Sequence, residues 1–100
     1  MKNVILSADG DSKVYSVPDE VADELDAYCM MFQKWLWKSP HAEGFRTDKG
    51  ICYDETDFID YLNKWIFPNQ PSQLIENLGW LDDFDTGRPS NYKACPWYNF

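Results

Sequence analysis

The stretch VPDEVADELDAYCMMFQKWLWKSP, residues 17–40, is the clearest helix signal in the chain. Pro18 suits the first position of a helix, and the acidic residues after it favour the positive N-terminal end. Ser39-Pro40 ends the helix, because the residue before a proline avoids the helical region. The pattern predicts a single helix from Pro18 to Lys38, roughly 30 Å long at about 1.5 Å per residue.

Apolar residues lie on two sides of this predicted helix. A step of about 100° per residue from Val21 collects a core stripe within an arc of about 120°. The stripe consists of Val21, Leu25, Tyr28, Cys29, Phe32, Trp35 and Leu36. Met30 and Trp37 fall nearly opposite it, with Asp23 and Asp26 on their side, one to two turns earlier. The outer face is therefore acidic in its N-terminal half and apolar in its C-terminal half.

Two interpretations of Met30 and Trp37 follow from this placement. The aromatic C-terminal tail, residues 80–100, has to pack against something, and it would cover both side chains. Alternatively both stay exposed as the contact for a partner or for a second copy of the chain. Trp is enriched in interface hot spots and Met adapts to varied surfaces, which favours the second interpretation.

Two hairpins are predicted, one on each side of this helix. In the first, Val4–Leu6 and Val14–Val17 are β-prone runs, and Asp9-Gly10 supplies the positive φ angles of a tight turn. In the second, Phe45 and Ile51-Cys52-Tyr53 are strand positions around the turn Asp48-Lys49-Gly50.

Two further helices are predicted before the tail. Asp54 is a good N-cap for a helix that ends at Pro68. One face of that helix carries Phe58, Leu62, Trp65 and Ile66. Pro71 opens a short third helix, and Gly79 is placed as its C-terminal cap. The tail is expected to wrap around the core and to include a short final strand.

The order β-β-α-β-β-α-α predicts an α+β fold. Its small antiparallel sheet of two hairpins packs against the long helix and the two shorter helices. A length of 100 residues favours a single domain over residues 1–100. Hydrophobic residues make up 44% of the chain and aromatic residues 17%, which is enough to build a core.

The chain is acidic, with 17 Asp and Glu against 9 Lys and Arg and a formal net charge of −8. Such a surface repels nucleic acid and anionic membranes and attracts basic protein surfaces, although it also serves plain solubility. The carboxylates form three clusters: Asp19, Glu20, Asp23, Glu24 and Asp26; Asp54, Glu55, Asp57 and Asp60; and Asp82, Asp83 and Asp85. Helix dipoles favour the first two clusters regardless of function. The functional alternative is mimicry of a phosphate backbone inside a basic groove.

No targeting or membrane segment is predicted. The N-terminal MKNVILSADG has an apolar run of only three residues, too short for a signal-peptide core. No stretch approaches the roughly 20 apolar residues of a membrane span. We therefore expect a cytoplasmic protein without a membrane partner.

The cysteines and the histidine carry no clear metal signature. Cys29, Cys52 and Cys95 contain no CxxC pair, and in a reducing compartment they are most simply free thiols or small buried hydrophobes. With His41 they make a Cys₃His count, numerically a zinc set, but with scattered spacing. We therefore predict no metal or cofactor, and keep zinc stabilisation as an alternative.

No catalytic motif is present, so we expect no enzyme. The chain has no Gly-rich phosphate loop, no GxSxG and no HExxH. Cys52, His41 and Asp54 can be drawn as nucleophile, base and orienting group, but nothing in the sequence places them together.

Several segments together resemble a family of small, uncharacterised acidic bacterial proteins. They are VILSADGDSKVYSVPDEVADELDAYC, DFIDYLNKWIFP, PSQLIENLGW and CPWYNF. The family has no assigned activity, so the resemblance implies no functional residue. In size, acidity and lack of catalytic motifs the chain is also similar to anti-CRISPR proteins, which inhibit Cas effectors by binding them.

Our hypothesis is a non-enzymatic acidic module that binds a basic protein surface, without direct contact to nucleic acid. Its binding residues would be Asp19, Glu20, Asp23, Glu24 and Asp26, with Met30 and Trp37 as apolar anchors. An anti-CRISPR-type inhibitor of a Cas effector or another nucleic-acid-handling protein is its most concrete version. The alternative is a small host structural protein, self-associating or zinc-stabilised. Both a monomer and a homodimer are compatible with the sequence.

Overall fold

The computed structural model describes residues 1–8, 10–81 and 87–100, and it confirms the predicted α+β class. The strands are β1 (Lys2–Ala8), β2 (Asp11–Val17), β3 (Arg46–Thr47), β4 (Gly50–Ile51), β5 (Gln73–Trp80) and β6 (Trp97–Asn99). The α-helices are α1 (Asp19–Asp23), α2 (Leu25–Lys38) and α3 (Glu55–Tyr61). The main sheet has the strand order β5-β2-β1-β6, and β3 and β4 form a separate hairpin.

The N-terminal hairpin is confirmed. β1 pairs antiparallel with β2 along its whole length, from Lys2 opposite Val17 to Ala8 opposite Asp11. Gly10 has a φ of 97°, a conformation that glycine adopts without steric cost. Asp9, the other predicted turn residue, lies outside the described residues.

The main sheet has a buried side chain cluster on each face. One face packs against the helices with Val4, Leu6, Tyr15 and Val17. On the other face, Ile5 and Val14 pack with Tyr92 from the tail. The alternation along β1 follows from the period of two in a strand.

The predicted single helix from Pro18 to Lys38 is divided into two helices. Glu24 leaves the helical conformation, with φ −128° and ψ 44°, between α1 and α2. The core stripe survives the break, although Tyr28 and Trp35 are only partly buried. Its buried members are Val21, Leu25, Cys29, Phe32 and Leu36. The C-terminal end of α2 at Lys38 matches the prediction.

The second hairpin exists but is shorter than predicted. Thr47 pairs with Gly50, and the turn is made by Asp48 and Lys49. Phe45, Cys52 and Tyr53 lie outside the two strands, with Phe45 at the end of a 3₁₀ helix over Pro40–Phe45.

Asp54 is the N-cap of α3, as predicted. Its side chain accepts hydrogen bonds from the backbone N–H groups of Thr56 and Asp57, and the Asp57 carboxylate accepts one from the Asp54 N–H at 2.9 Å. This reciprocal arrangement is a capping box, which satisfies N–H groups that a helix leaves unpaired.

The helix does not continue as an α-helix to Pro68. A π-helical turn spans Leu62–Ile66, and the Phe67 N–H donates to the Leu62 carbonyl at 2.7 Å. This wider turn moves later residues around the helix axis relative to an α-helical continuation. Of the predicted apolar face, Phe58 and Leu62 are buried and Ile66 is partly buried, whereas Trp65 is 40% exposed.

The predicted third helix is wrong, because residues 73–80 form β5. β5 pairs antiparallel with β2, with register shifts between Ser12 and Lys13 and between Val14 and Tyr15. Gly79, predicted as a helix cap, has a φ of 69° within this irregular strand. The free hydrogen-bonding edge of β2 explains the difference, since pairing with it satisfies the backbone of this segment better than an isolated short helix.

The predicted final strand is confirmed as β6. It pairs parallel with β1, with Ile5 opposite Trp97, and the Phe100 N–H donates to the Ser7 carbonyl at 2.8 Å. The parallel pairing places Tyr98 and Phe100 on the helix-facing side, where both pack against the main core. The central part of the tail, residues 82–86, lies outside the described residues.

Phe32 is the centre of an aromatic cluster that joins most of these elements. Its side chain is fully buried, at 0% exposure. Its ring lies 5.2–6.2 Å, between centroids, from the rings of Trp35, Tyr53, Phe58, Tyr61 and Phe100. Tilted and edge-to-face contacts at these distances are favourable in addition to the buried area.

We predict that Phe32→Ala lowers the free energy of unfolding by about 3–5 kcal/mol, because it leaves a cavity between the five rings. Urea unfolding followed by fluorescence measures the loss, and Phe32→Leu provides a milder variant that folds. Met30→Ala, on the exposed side of the same helix, is the control and should change stability by less than about 0.5 kcal/mol. Equal losses for Phe32→Leu and Met30→Ala would contradict the central position of Phe32.

Candidate partner-binding surface

Met30 and Trp37 lie on the outer face of α2, with 55% and 61% of their surfaces exposed. They are two turns apart in one unbroken helix, so about 10 Å separates them along its axis. The interpretation in which the tail seals both side chains is therefore wrong: both are exposed, and their use as a contact for a partner stays a prediction.

The tail reaches this face of α2 between the two exposed side chains. The Gln33 side-chain amide donates a hydrogen bond to the Tyr98 hydroxyl at 3.0 Å. Gln33 lies three residues after Met30 and four before Trp37, so it belongs to the same stripe of the helix. We call the stripe formed by Asp26, Met30, Gln33 and Trp37 the α2 outer face.

Two of the five predicted carboxylates between Asp19 and Asp26 form ion pairs with cationic groups of the same chain. The N-terminal ammonium of Met1 lies 2.9 Å from Asp19, and the Lys2 ammonium lies 2.7 Å from Asp23. The hydrogen bond from the N-terminus holds the pKa of Asp19 below its ordinary value. Asp23 is the last residue of α1, so its direction does not follow from the rotation of α2. Its carboxylate instead contacts Lys2 at the start of β1.

The other three carboxylates point into solvent. Glu20, Glu24 and Asp26 are exposed, and within the described residues none of them has an ion pair or a side-chain hydrogen bond. Asp26 lies one turn before Met30 on the α2 outer face. The structure therefore places one of these carboxylates directly beside the exposed apolar side chains.

The second carboxylate cluster serves mainly the fold. Glu55 is buried, at 3% exposure, and its carboxylate lies 2.6 Å from the ammonium of Lys13 on β2. The bond to Glu55 raises the pKa of Lys13. Asp54 and Asp57 form the capping box, and Asp60 alone of the four is exposed.

The third predicted cluster, Asp82, Asp83 and Asp85, lies outside the described residues.

The cysteines occupy three different environments and are all free thiols. Cys29 is buried, Cys95 is half-buried and Cys52 is exposed. Burial raises the pKa of Cys29 to about 12. Within residues 1–8, 10–81 and 87–100, no three His, Cys, Asp or Glu side chains come close enough to hold a metal ion, so the Cys₃His set is not assembled there.

The three groups drawn as a thiol centre each make other contacts. The His41 ring stacks on Trp65, with 4.4 Å between centroids. The Cys52 N–H donates to the Phe45 carbonyl at 3.0 Å, and the Asp54 carboxylate caps α3. In the described part of the chain, no hydrogen bond joins Cys52, His41 and Asp54.

A second surface feature was not predicted from the sequence. A pocket of about 490 Å³ opens between the end of α2, the 3₁₀ helix and α3 with its π-helical turn. Its lining combines rings with polar side chains: Trp35, His41, Phe45, Asp57, Asp60, Tyr61, Asn63, Lys64 and Trp65. We call it the Trp65 pocket. The sequence does not reveal it, because its lining comes from three segments that only the fold brings together.

Comparisons with protein-family models, with curated proteins and with solved structures found no match to this chain. The resemblance to small acidic bacterial proteins therefore stays a prediction. Across the described residues, no helix combines the length and the apolar character that crossing a membrane requires.

We predict that the thiol reagent DTNB modifies Cys52 first and leaves Cys29 intact in the folded protein. At pH 8, a pKa of about 12 leaves about one Cys29 in ten thousand as thiolate, and the side chain is also inaccessible. Cys52→Ser should remove the fastest phase of the reaction, and denaturant should make Cys29 reactive. A fast phase that persists in Cys52→Ser would contradict this assignment.

Proposed function

We propose that this protein is a non-enzymatic binding module whose α2 outer face and neighbouring carboxylates engage the basic surface of another protein. The observation that carries the proposal is the exposure of Met30 and Trp37, two turns apart on a helix that begins among carboxylates. Exposed Trp and Met at such spacing are typical of helix faces that dock on a partner.

The apolar side chains would supply most of the affinity. Burying a Trp or a Met removes a large apolar area from water, at about 25 cal/mol for each Å². Gln33 adds a fixed polar group between them, because the Tyr98 hydroxyl holds its amide. Less side-chain freedom is then lost when a partner binds.

The carboxylates would select a basic partner and speed its approach. Five of them lie between Asp19 and Asp26, on α1, at the break before α2 and at the start of α2. The N-terminus and Lys2 oppose two of these five charges, which leaves an excess of three negative charges. Together with the net charge of −8, this field attracts positive surfaces and repels nucleic acid. The unpaired Glu20, Glu24 and Asp26 are better placed for this role than Asp19 and Asp23.

An anti-CRISPR-type inhibitor is the most concrete version of this function. Cas effectors hold a guide and its target in a positively charged channel. An acidic helix with an apolar anchor would compete with nucleic acid for such a groove, acting as a nucleic-acid mimic. This role places the protein in the cytoplasm with the effector and requires no chemistry of its own.

We predict that the purified protein inhibits DNA cleavage by at least one member of a panel of purified Cas effector–guide complexes. Asp26→Lys should weaken that inhibition at least about tenfold, because it puts a like charge against a basic surface. It should also flatten the loss of binding between about 0.05 M and about 0.5 M salt.

Asp48→Lys is the matched control, since it makes the same change in net charge at an exposed turn of the β3–β4 hairpin. It should leave inhibition within about twofold of the wild-type value. Equal effects of the two substitutions, or a complex insensitive to salt, would contradict the proposed surface. Failure of the whole panel would contradict the anti-CRISPR version.

Self-association is a second candidate, favoured by the position of β5. Within the described residues β5 lies at the edge of the main sheet, so one side of its backbone is unpaired. Leu74 and Ile75 on this strand are 55% and 50% exposed. An exposed apolar edge strand is a template for pairing with a second copy of the chain. A structural homodimer would use this edge.

If the edge joins two copies, Leu74→Lys should shift the protein from dimer to monomer, because a charged side chain on an edge strand opposes pairing. Light scattering over a range of protein concentrations measures the shift. Gln70→Lys adds the same charge just outside β5 and should leave the dimer intact. A wild-type protein that is monomeric at all concentrations would remove this candidate.

A further inference from the structure

The Trp65 pocket is walled by aromatic rings from three segments of the chain. Trp35 on α2 lies 5.1 Å from Tyr61, 6.2 Å from Phe45 and 6.3 Å from Trp65, between ring centroids. The His41 ring contacts the Trp65 ring, with 4.4 Å between centroids. The rings pack against one another, so the walls are held in place before any ligand arrives.

Two carboxylates lie among these rings. Asp57 and Asp60 are three residues apart on α3 and therefore share one face of the helix. One oxygen of Asp57 accepts the capping hydrogen bond from the Asp54 N–H. Within the described residues, Asp60 has no ion pair and no side-chain hydrogen bond. The pocket therefore holds negative charge that no cation among the described residues neutralises by direct contact.

The environment of Asp57 makes a cationic ligand favourable. Burial raises the pKa of Asp57, and the neighbouring carboxylates of Asp54 and Asp60 raise it further, although the hydrogen bond from the Asp54 N–H acts in the opposite direction. The net effect destabilises the charged form of the side chain. A bound cation would stabilise the charged form of Asp57, and the charged carboxylate would in turn bind that cation more tightly.

The chain already places one cation on the rim of the pocket. The Lys64 ammonium lies over the Trp65 ring, 5.2 Å from its centroid. Lys64 follows Asp60 by one helical turn, yet the two side chains do not form an ion pair within 4.0 Å. The Trp65 ring thus already has a positive charge at a distance typical of a cation–π contact.

We propose that the Trp65 pocket binds the guanidinium group of an arginine side chain presented by a partner protein. The planar group would stack against the exposed surface of Trp65, and its N–H groups would donate to Asp60 and to the remaining oxygen of Asp57. The pocket volume of about 490 Å³ is ample for this group and its last methylenes, since a single water needs roughly 10–15 Å³.

Arginine fits this lining better than lysine does. A guanidinium can stack on a ring and bond a carboxylate with two parallel N–H groups at the same time, whereas an ammonium is a compact and strongly hydrated point charge. The rings of this pocket offer a surface for stacking, and its carboxylates offer acceptors for the N–H groups. A neutral urea analogue of the same shape lacks the charge, so it loses both the ion pair and the cation–π attraction and should not bind measurably.

This inference goes beyond the proposed docking face and does not depend on it. Trp35 lies two residues from Trp37, about 200° around α2, so the pocket opens on another side of the helix. A small arginine derivative tests the pocket alone, without a protein partner. Its failure would leave the α2 outer face unaffected, and failure of the α2 outer face would leave the pocket unaffected.

The test titrates the ¹⁵N-labelled full chain with N-acetyl-arginine methylamide and follows the indole N–H signals. The signals of Trp35 and Trp65, assigned with Trp35→Phe and Trp65→Phe, should shift in a saturable way. The corresponding citrulline derivative should produce no saturable shift, and the lysine derivative should bind at least about threefold more weakly. Equal binding of citrulline or lysine, or shifts confined to Trp37, Trp80 and Trp97, would overturn the proposal.

Three variants that keep the fold sharpen the test. Asp60→Asn should weaken binding about tenfold, because a charge-assisted hydrogen bond is lost. Lys64→Gln should strengthen it about threefold, because a competing cation leaves the rim. Asp48→Asn, the same change at an exposed turn outside the pocket, should leave binding unchanged. Equal binding by the Asp60 and Asp48 variants would overturn the assignment.

Discussion

The structure depends on the burial of one phenylalanine ring between five others. Phe32 belongs to α2, and its neighbours come from the segment after β4, from α3 and from the residue after β6 as well as from α2 itself. A domain this small cannot bury much surface, so large rings at its centre contribute a large share of the apolar area that it removes from water. Because the Phe32 side chain must face the core, the rotation of α2 about its axis is fixed. Met30 and Trp37 on the other side of the helix therefore point outward.

The acidity of the chain divides into carboxylates that build the fold and carboxylates that remain available. Asp54 caps α3, and Glu55 joins that helix to the sheet through an ion pair with Lys13. The pairing compensates for the burial of the Glu55 charge. Asp26 beside Met30 and Asp60 in the Trp65 pocket have no such duty. Each lies beside exposed aromatic or sulfur-containing side chains, and each belongs to one of the two surfaces that we propose for positively charged partners.

Elements with self-contained local chemistry could be predicted from the sequence, and those defined by distant contacts could not. Asp54 marks its helix because the capping bonds lie within three residues of it. The sequence of β5 does not predict a strand, because the strand lies at a sheet edge and both of its faces are largely exposed. It therefore lacks the alternation of apolar and polar residues that is typical of a half-buried strand. The periodicity of α2 predicted the direction of Met30 and Trp37, whereas their exposure depended on the path of the tail. The Trp65 pocket is formed by the end of α2, the 3₁₀ helix and α3, which are distant in the sequence and come together only in the fold.

The parallel pairing of β6 with β1 has a kinetic consequence. The first hairpin joins residues close in the chain and can form within microseconds, but Trp97 reaches Ile5 only after a loop of some ninety residues has closed. Contacts of such sequence separation slow folding. Until they form, β1 carries an open edge and the ring of Phe100 is missing from its place beside Phe32. The interval before the ends of the chain meet is thus the stage at which a nascent molecule is most exposed to aggregation.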